Sequence, residues 1–333
     1  MSALVYPHPE TPAPGKTIEV APGVRWLSMP LPFALDHINL WIVDDTIVDT
    51  GIGDDKTRGH WETILAGKKI DRVILTHYHP DHAGNAAWLC KKFNVPLWTT
   101  QGEYLTAHAV RESSAGYTSE AVIDVFLKNG LDPARAAKMV GRGNRYAALV
   151  PDFPTSYRRI IGGDRVKIGG HEWRAFIGHG HAPEHLSLYC EALNVVIAGD
   201  MLLSTISTNV SVWSIDPEGD PLRLFLQSLE RYKELPADVL VLPSHGKPFR
   251  GAHERVAALQ AHHEERFREL MADLNGNPKS AGELLGVLFK RPLDAHQTFF
   301  AMGEAIAHLH YLYYAGRLQR CAGADGIMRY AAS

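Results

Sequence analysis

Residues 76–82, Thr-His-Tyr-His-Pro-Asp-His, constrain the fold and the chemistry of this chain more than any other segment. They place three imidazoles and a carboxylate within six residues, directly after an apolar run at residues 73–75. Such a run predicts a buried strand, and residues just beyond a strand lie at an edge of the sheet, where they can converge on one point. Imidazole and carboxylate groups are the ligands that suit zinc, iron or manganese. The segment therefore predicts a metal site at the end of a strand.

Histidine-rich segments also occur as purification tags and solvated loops, and this chain carries 18 histidines. The segment at 76–82, however, is internal, follows a strand pattern and opens a helical pattern at residues 81–93. An aspartate near the start of a helix is favoured by the free backbone N–H groups and by the helix dipole. This context favours a metal site over both alternatives.

Composition limits the classes of protein to which the chain can belong. Its 333 residues are enough for one large domain and a small one, and 45% hydrophobic and 21% charged residues are ordinary for a globular protein. A net charge of −3 does not favour the binding of nucleic acid or of an anionic membrane, since both are negatively charged. Neither a signal peptide nor a membrane span is predicted. Three widely spaced cysteines suggest a reducing compartment, so we expect a cytoplasmic protein without a disulfide framework.

Short strands and helices alternate along most of the chain, which is an α/β pattern. After an extended lead-in at residues 1–16, we expect one domain over residues 17–250, with a helical insertion at about 102–160 that acts as a lid or a dimer contact. Residues 251–333 predict three helices and a β-hairpin, a module similar to a winged helix. Strands are predicted at residues 18–20, 24–27, 39–43, 46–48, 73–75, 96–99, 165–168, 172–177, 186–189, 195–198 and 239–242. Helices are predicted at residues 54–66, 81–93, 102–111, 119–128, 133–140, 221–234, 253–274, 280–289 and 297–318.

Three more candidate ligands, His181, Asp200 and His245, each stand just beyond another apolar run. The ends of parallel strands meet at one edge of a sheet, so these residues are expected to join those of segment 76–82. His179 and His185 flank His181 in the sequence and are the other histidines of that region.

In order and spacing, these residues resemble the metallo-β-lactamase superfamily, whose pattern is HxHxDH, a later histidine in a turn, an aspartate and a final histidine. The resemblance covers about residues 17–250 and includes the early Asp49-Thr50-Gly51. It implies an α/β fold in which two sheets lie between two layers of helices, an αββα sandwich. Within the superfamily the chain is similar to the glyoxalase II-like and lactamase-like protein 2-like branch, which carries a C-terminal winged-helix module.

The resemblance implies two sets of metal ligands and a carboxylate that bridges them. The first set is His77, His79 and His181. The second set is Asp81, His82 and His245, and the bridging residue is Asp200. Two divalent metal ions are expected as cofactors, zinc first, with iron or manganese as alternatives. Asp49 and His185 are expected behind the ligands, where they would orient imidazole rings. His179 is expected to be structural, and Glu184 stands where the family has glycine, so the turn there is expected to differ.

The activity that the resemblance implies first is hydrolysis of a small acyl compound, namely a thioester, an ester or a lactone. In that reaction a hydroxide that bridges the metals attacks the carbonyl group, with Asp81 as the catalytic carboxylate beside it. The expected partner is thus a small acyl substrate, with no membrane involved and with a homodimer as a possibility. The aromatic candidates for the walls of the substrate pocket are Tyr117, Phe126, Phe153, Tyr157 and Trp213.

Three other classes of function stay open at this point. The superfamily includes ribonucleases, and two metals suit phosphodiester cleavage equally well. Residues 251–333, however, hold nine Lys and Arg against nine Asp and Glu, so nucleic acid is not expected as a partner unless one face is cationic. A single-iron dioxygenase that acts on glutathione persulfide would use the same ligand triad around one metal. A non-catalytic binding protein would not need the complete ligand set.

Overall fold

The computed structural model describes residues 4–32, 35–140, 143–274 and 276–333, which form two compact units. The first unit runs to residue 112 and continues through 145–208 and 228–256. The second unit consists of residues 113–144, 209–227 and 257–333. Each unit is discontinuous in sequence, whereas the sequence suggests consecutive segments. The predicted insertion at 102–160 is divided, because its middle part belongs to the second unit.

Two β-sheets form the centre of the first unit. The seven-stranded sheet contains, in spatial order, β1 (Ile18–Ala21), β2 (Val24–Pro30), β3 (His37–Val43), β4 (Thr46–Val48), β5 (Arg72–Ile74), β6 (Leu97–Thr99) and β7 (Tyr157–Arg159). The five-stranded sheet contains, in spatial order, β12 (Leu240–Pro243), β11 (Val195–Gly199), β10 (His185–Cys190), β9 (His171–Gly178) and β8 (Arg165–Ile168). Strands β4 to β7 are parallel to one another, and so are β11 and β12.

Side chains of β3 show why both faces of the seven-stranded sheet are covered. Successive side chains of a strand point to opposite faces. Leu40 and Ile42 face an outer core that includes helix residues such as Trp61, whereas Trp41 and Val43 face the core between the two sheets. On the outer face of the five-stranded sheet, the short 3-10 helix Arg231–Glu234 packs through its tyrosine. The predicted αββα sandwich is confirmed.

Five helices of the first unit connect these strands. They are α1 (Asp55–Leu65), α2 (Pro80–Ala83), α3 (Ala86–Phe93), α4 (Gln101–Arg111) and α7 (Arg145–Leu149). Helices α8 (Pro221–Glu230) and α9 (Ala252–Asp273) contain residues of both units. The lead-in is fixed to the first unit, because Val5 exchanges two backbone hydrogen bonds with Arg250. Its first three residues lie outside the described part of the chain.

The single helix predicted at 81–93 is wrong, since the structure has two helices separated at Gly84 and Asn85. The Asn85 amide donates to the carbonyls of Thr50 and Ile52, which pulls this junction onto the loop after β4. Gly84 lies against the same loop, and a Cβ there would collide with the backbone nitrogen of Gly53. The helical period does not reveal this contact because it depends on a loop about 35 residues earlier in the chain.

We expect Gly84→Ala to destabilise the first unit by about 1–3 kcal/mol, because the added methyl group would force two backbone segments apart. Gly59→Ala is the matched control: Gly59 lies in helix α1, and its Cβ position has no neighbour within 4 Å among the described residues. That change is expected to stabilise by about 0.5–1 kcal/mol, since glycine is a poor helix residue. Urea denaturation of both variants checks the prediction, and equal midpoints would contradict it.

The helical insertion predicted at about 102–160 ends in a strand that the sequence pattern does not indicate. Residues 157–159 form β7, which pairs in parallel with β6 at the edge of the seven-stranded sheet. Helix α7 precedes it and was not predicted either. The strand has three residues, two of them arginines, so it lacks the apolar run that signals a buried strand.

The described residues of the second unit form four further helices and a two-stranded sheet. They are α5 (Ser119–Lys128), α6 (Pro133–Ala137), α10 (Ala281–Leu288), α11 (Ala295–Tyr314), β13 (Leu318–Ala322) and β14 (Met328–Ala332). The helix predicted at 297–318 ends earlier because Gly316 has a φ of 71°, after which the chain enters β13. The expected hairpin is present, with β13 antiparallel to β14. Its assignment as a winged helix stays a prediction.

Two other sequence expectations concern cysteines and membranes. All three cysteines are free thiols, with Cys90 and Cys190 buried and Cys321 exposed. No helix in the described part of the chain is both long enough and apolar enough to cross a membrane.

Candidate metal centre

The candidate ligands lie at the carboxyl ends of parallel strands. Strand β5 leads into Thr76 and His77, and its parallel neighbour β4 leads into Asp49. In the other sheet, β11 leads into Asp200 and its parallel neighbour β12 leads into His245. Because both sheets share one core, these ends meet at one edge of the sandwich.

The first group consists of His77, His79, His181 and Asp200, whose ligand atoms lie within 4.8 Å of one another. His77 Nε2 is 2.9 Å from His79 Nδ1 and 3.2 Å from His181 Nε2. Two nitrogens that each lie about 2.0–2.1 Å from one tetrahedral zinc ion are about 3.3 Å apart. The spacing of the three histidines therefore fits a single metal ion.

The second group consists of Asp81, His82 and His245, again with all ligand atoms within 4.8 Å. Asp81 Oδ2 is 3.4 Å from His245 Nε2 and 3.8 Å from His82 Nε2. Nitrogen and oxygen ligands of this kind suit a divalent transition metal. The structure thus separates the same two sets of residues that the family pattern implies.

Asp200 lies between the two groups. Its Oδ2 is 3.4 Å from His181 Nε2, whereas its Oδ1 is 3.6 Å from His82 Nε2 and 3.7 Å from His245 Nε2. One carboxylate oxygen therefore faces each group. This is the placement that a bridging ligand requires.

The electrostatics of the site fit bound cations. Burial and the neighbouring His181 ring lower the pKa of His79 to about 3, so its imidazole is neutral and has a lone pair for a metal. Burial opposes a charge on His82, but Asp49, Asp81 and Asp200 outweigh it and raise the pKa of His82 to about 10. Positive charge is therefore favoured at this position. His82 Nε2 and Asp200 Oδ1 are buried without a hydrogen-bond partner among the described residues, and a metal ion would satisfy both atoms.

Asp49 orients His82. The fully buried Asp49 carboxylate accepts a hydrogen bond from His82 Nδ1 at 2.8 Å, and it also accepts from the backbone N–H and the hydroxyl of Thr76, both at 2.8 Å. With Nδ1 engaged, His82 turns its Nε2 toward the second group. The role of Thr76 was missed, although its position directly before His77 and after a buried strand is a signal that could have pointed to it.

Two further contacts support ligands from behind. His185, the other expected orienting residue, accepts the backbone N–H of Asp200 at its Nε2, at 3.1 Å. His245 Nδ1 lies 2.9 Å from the carbonyl oxygen of His37, which leaves Nε2 for the second group. The loop that carries His245 is held by Asn39, whose amide donates to the carbonyls on either side of it. Sequence reasoning missed His37 and Asn39, because both act from a distant strand.

His179 and Glu184 take part in the turn around His181 and not in the ligand groups. His179 Nδ1 lies 2.7 Å from the carbonyl oxygen of Pro183, which suits the structural role expected of it. The Glu184 carboxylate accepts the N–H of Gly102 at 2.7 Å, near the start of helix α4. A glutamate at this position therefore connects the turn to α4, which a glycine could not do.

The aromatic candidates for pocket walls are distributed over both units. In the first unit, Tyr157 stacks on Tyr104 at 4.0 Å between ring centres, and Phe153 is 4% exposed within the outer core. The structure thus places Phe153 at a core position. In the second unit, Phe126 and Trp213 both contact Phe299. Tyr117 also belongs to the second unit. A pocket role for Tyr117, Tyr157 and Trp213 stays a prediction.

Comparison with known proteins identifies the family. Residues 36–245 match the metallo-beta-lactamase superfamily, and residues 267–333 match the metallo-beta-lactamase-like C-terminal domain. The chain belongs to the metallo-beta-lactamase superfamily and carries that C-terminal domain.

Two solved structures resemble the whole chain. A beta-lactamase domain protein from Burkholderia ambifaria is 48% identical, with a TM-score of 0.92 and coverage of 99% of this chain and 98% of that one. A metallo-beta-lactamase family protein from Thermus thermophilus is 30% identical, with a TM-score of 0.81 and coverage of 95% of this chain and 100% of that one.

Curated relatives are more distant. A probable metallo-hydrolase from Bacillus subtilis is 23% identical over 86% of this chain and 91% of its own length. An atrochrysone carboxyl ACP thioesterase from Aspergillus fumigatus is 22% identical over 77% of this chain and 68% of its own length. A hydroxyacylglutathione hydrolase from Idiomarina loihiensis is 21% identical over 64% of this chain and 62% of its own length.

Proposed function

We propose that this protein is a binuclear metallohydrolase that cleaves a small acyl substrate, that is, a thioester, an ester or a lactone. The observation that carries the proposal is the pair of ligand groups on either side of Asp200. Zinc is the metal that we propose, since three imidazoles in one group and two imidazoles with a carboxylate in the other suit it.

Two bound divalent ions supply a water that is deprotonated near neutral pH and a positive charge that polarises a carbonyl oxygen. The residues around them set the geometry. Asp200 holds the two groups at a fixed separation through its two oxygens. Asp81 has a side chain that is 17% exposed, whereas those of His82 and His245 are 0% and 4% exposed. The other ligand carboxylate, Asp200, is more deeply buried at 11% exposed, so we assign to Asp81 the acceptance of a proton at the solvent side of the site.

The names of two relatives support an acyl substrate. One is a thioesterase that acts on a carrier-protein-bound acyl group, and the other hydrolyses hydroxyacylglutathione. The relative named only as a probable metallo-hydrolase is compatible with the same reaction class. The complete second group, Asp81, His82 and His245, supports a binuclear hydrolase over a single-iron dioxygenase, which needs one group only.

A substrate screen tests the proposal. The zinc-loaded protein would be incubated with acyl thioesters of coenzyme A and glutathione, p-nitrophenyl esters, lactones, bis(p-nitrophenyl) phosphate and single-stranded RNA. We expect turnover of at least one acyl class and none of the phosphodiesters. Cleavage of the phosphodiesters alone would contradict the proposal. It would also be contradicted if the zinc-loaded protein cleaved no acyl compound while the iron-loaded protein consumed oxygen with glutathione persulfide, since zinc has no redox chemistry.

A further inference from the structure

The backbone N–H and the backbone carbonyl of Tyr78 are each held by a side chain that is not a ligand. Tyr78 stands between the ligands His77 and His79. Its N–H donates to Glu103 Oε2 at 2.9 Å, and its carbonyl oxygen accepts the hydroxyl of Tyr146 at 2.6 Å. Both backbone groups of the residue that separates two ligands are thus fixed by buried partners.

The second ligand loop is fixed by the same carboxylate. Glu184, three residues after the ligand His181, donates its backbone N–H to Glu103 Oε1 at 2.6 Å. The carbonyl of Glu184 accepts from the hydroxyl of Thr100 at 2.8 Å. Glu103 therefore joins the loop that carries His77 and His79 to the loop that carries His181.

Burial makes these bonds strong constraints. Glu103 is 1% exposed and Tyr146 is 9% exposed. A buried carboxylate that lost one of its two N–H donors would keep the desolvation cost without the compensating bond. The two loops can therefore move apart only at an energetic cost, which favours the spacing of the three imidazoles seen here.

We propose that Glu103 and Tyr146 are positioning residues that pre-organise the three-histidine group for its metal ion. This inference rests on the proposed metal site and extends it to the first turn of α4 and to α7. Each of the two residues acts through the backbone of the ligand loops. The second group is held by other residues, Asp49 and the carbonyl of His37, and is expected to be independent of Glu103 and Tyr146.

The test is a zinc titration of the full chain against a chromophoric chelator, with Tyr146→Phe and Glu103→Gln as variants. Phenylalanine removes only the hydroxyl that donates to Tyr78. Glutamine replaces one carboxylate oxygen by an amide group that cannot accept, so either Tyr78 or Glu184 loses its acceptor. We expect one of the two zinc ions to bind about tenfold more weakly, at the lower end of the range for groups behind metal ligands.

Matched controls separate positioning from stability. Tyr232→Phe removes a buried tyrosine hydroxyl that lies 2.7 Å from Ser187 Oγ in the same unit, on the outer face of the five-stranded sheet. Glu304→Gln alters a partly buried carboxylate of the second unit that accepts a hydrogen bond from Asn209. Both controls are expected to change the melting temperature as much as the test variants while leaving both zinc affinities unchanged. Repeating the titration with His245→Ala, which leaves the three-histidine group intact, assigns the weakened ion to that group.

Unchanged zinc affinity in Tyr146→Phe, or equal weakening in Tyr232→Phe, would overturn the proposal, even if Glu103→Gln fails to fold. A loss confined to the second group would overturn it too. The outcome does not depend on the substrate: zinc affinity can be altered in a protein that hydrolyses none of the acyl compounds, and normal in one that does.

Discussion

Asp200→Asn is expected to lower turnover of the acyl substrate by about 10³-fold and to reduce the bound metal from about two ions per chain to about one. The two oxygens of Asp200 face different ligand groups. Asparagine has the same shape but offers one oxygen only. It can therefore bind a metal ion in one ligand group, while its NH2 faces the other ligand group. A metal ion contributes several kcal/mol to transition-state stabilisation, and each 1.36 kcal/mol corresponds to about tenfold in rate. The loss of one metal ion therefore accounts for a rate decrease of about 10³-fold.

The control for this variant is Asp54→Asn, at the N-cap of helix α1. Asp54 Oδ1 accepts the N–H of Thr57 at 2.7 Å, and asparagine caps helices about as well as aspartate. Its turnover and metal content are expected to match those of the unmodified protein. If Asp200→Asn also kept two ions and full turnover, Asp200 would not be a bridging ligand.

In the metal-free protein, Asp49→Asn is expected to lower the free energy of unfolding of the first unit by about 3–5 kcal/mol. His82 is protonated in that state, and the change breaks a buried ion pair on one side. The carboxylate accepts three hydrogen bonds, from Thr76 N–H, the Thr76 hydroxyl and His82 Nδ1. Asparagine cannot satisfy both N–H donors, since its amide group must face one of them. Asp49 has a φ of 61°, a conformation that asparagine tolerates and alanine does not, so this substitution adds no backbone strain.

Urea denaturation followed by tryptophan fluorescence measures this effect, because six of the seven tryptophans lie in the first unit. Asp44→Asn is the control: Asp44 also has a positive φ, of 48°, but lies exposed in the turn between β3 and β4. Its free energy of unfolding is expected to stay within about 0.5 kcal/mol of that of the unmodified protein. Similar values for the two variants would show that the Asp49 contacts contribute no more than an exposed turn residue.

The ligand groups could be predicted from the sequence because each loop that carries ligands follows an apolar run. A buried strand has a recognisable composition, and the residue after it lies at the sheet edge whatever the rest of the fold does. His77, Asp200 and His245 all satisfy this rule. Their division into two groups came from the family pattern and agrees with the distances in the structure.

Among the residues behind the ligands, the family pattern implied Asp49 and His185, whereas Glu103 and Tyr146 could not be predicted because their roles depend on contacts between distant segments. Glu103 lies in the first turn of a helix, where an acidic residue is common for reasons unrelated to a metal site. Tyr146 belongs to a five-residue helix that the sequence pattern did not reveal. The two-unit division has the same origin, since residues 113–144 associate with the distant segments 209–227 and 257–333.

Metal content per chain, measured by elemental mass spectrometry on protein purified without chelators, tests the central claim most directly. We expect about two zinc ions per chain, with both lost from a variant that lacks His77 and Asp81. A single iron ion per chain, or no metal after reconstitution with zinc, would contradict the binuclear site.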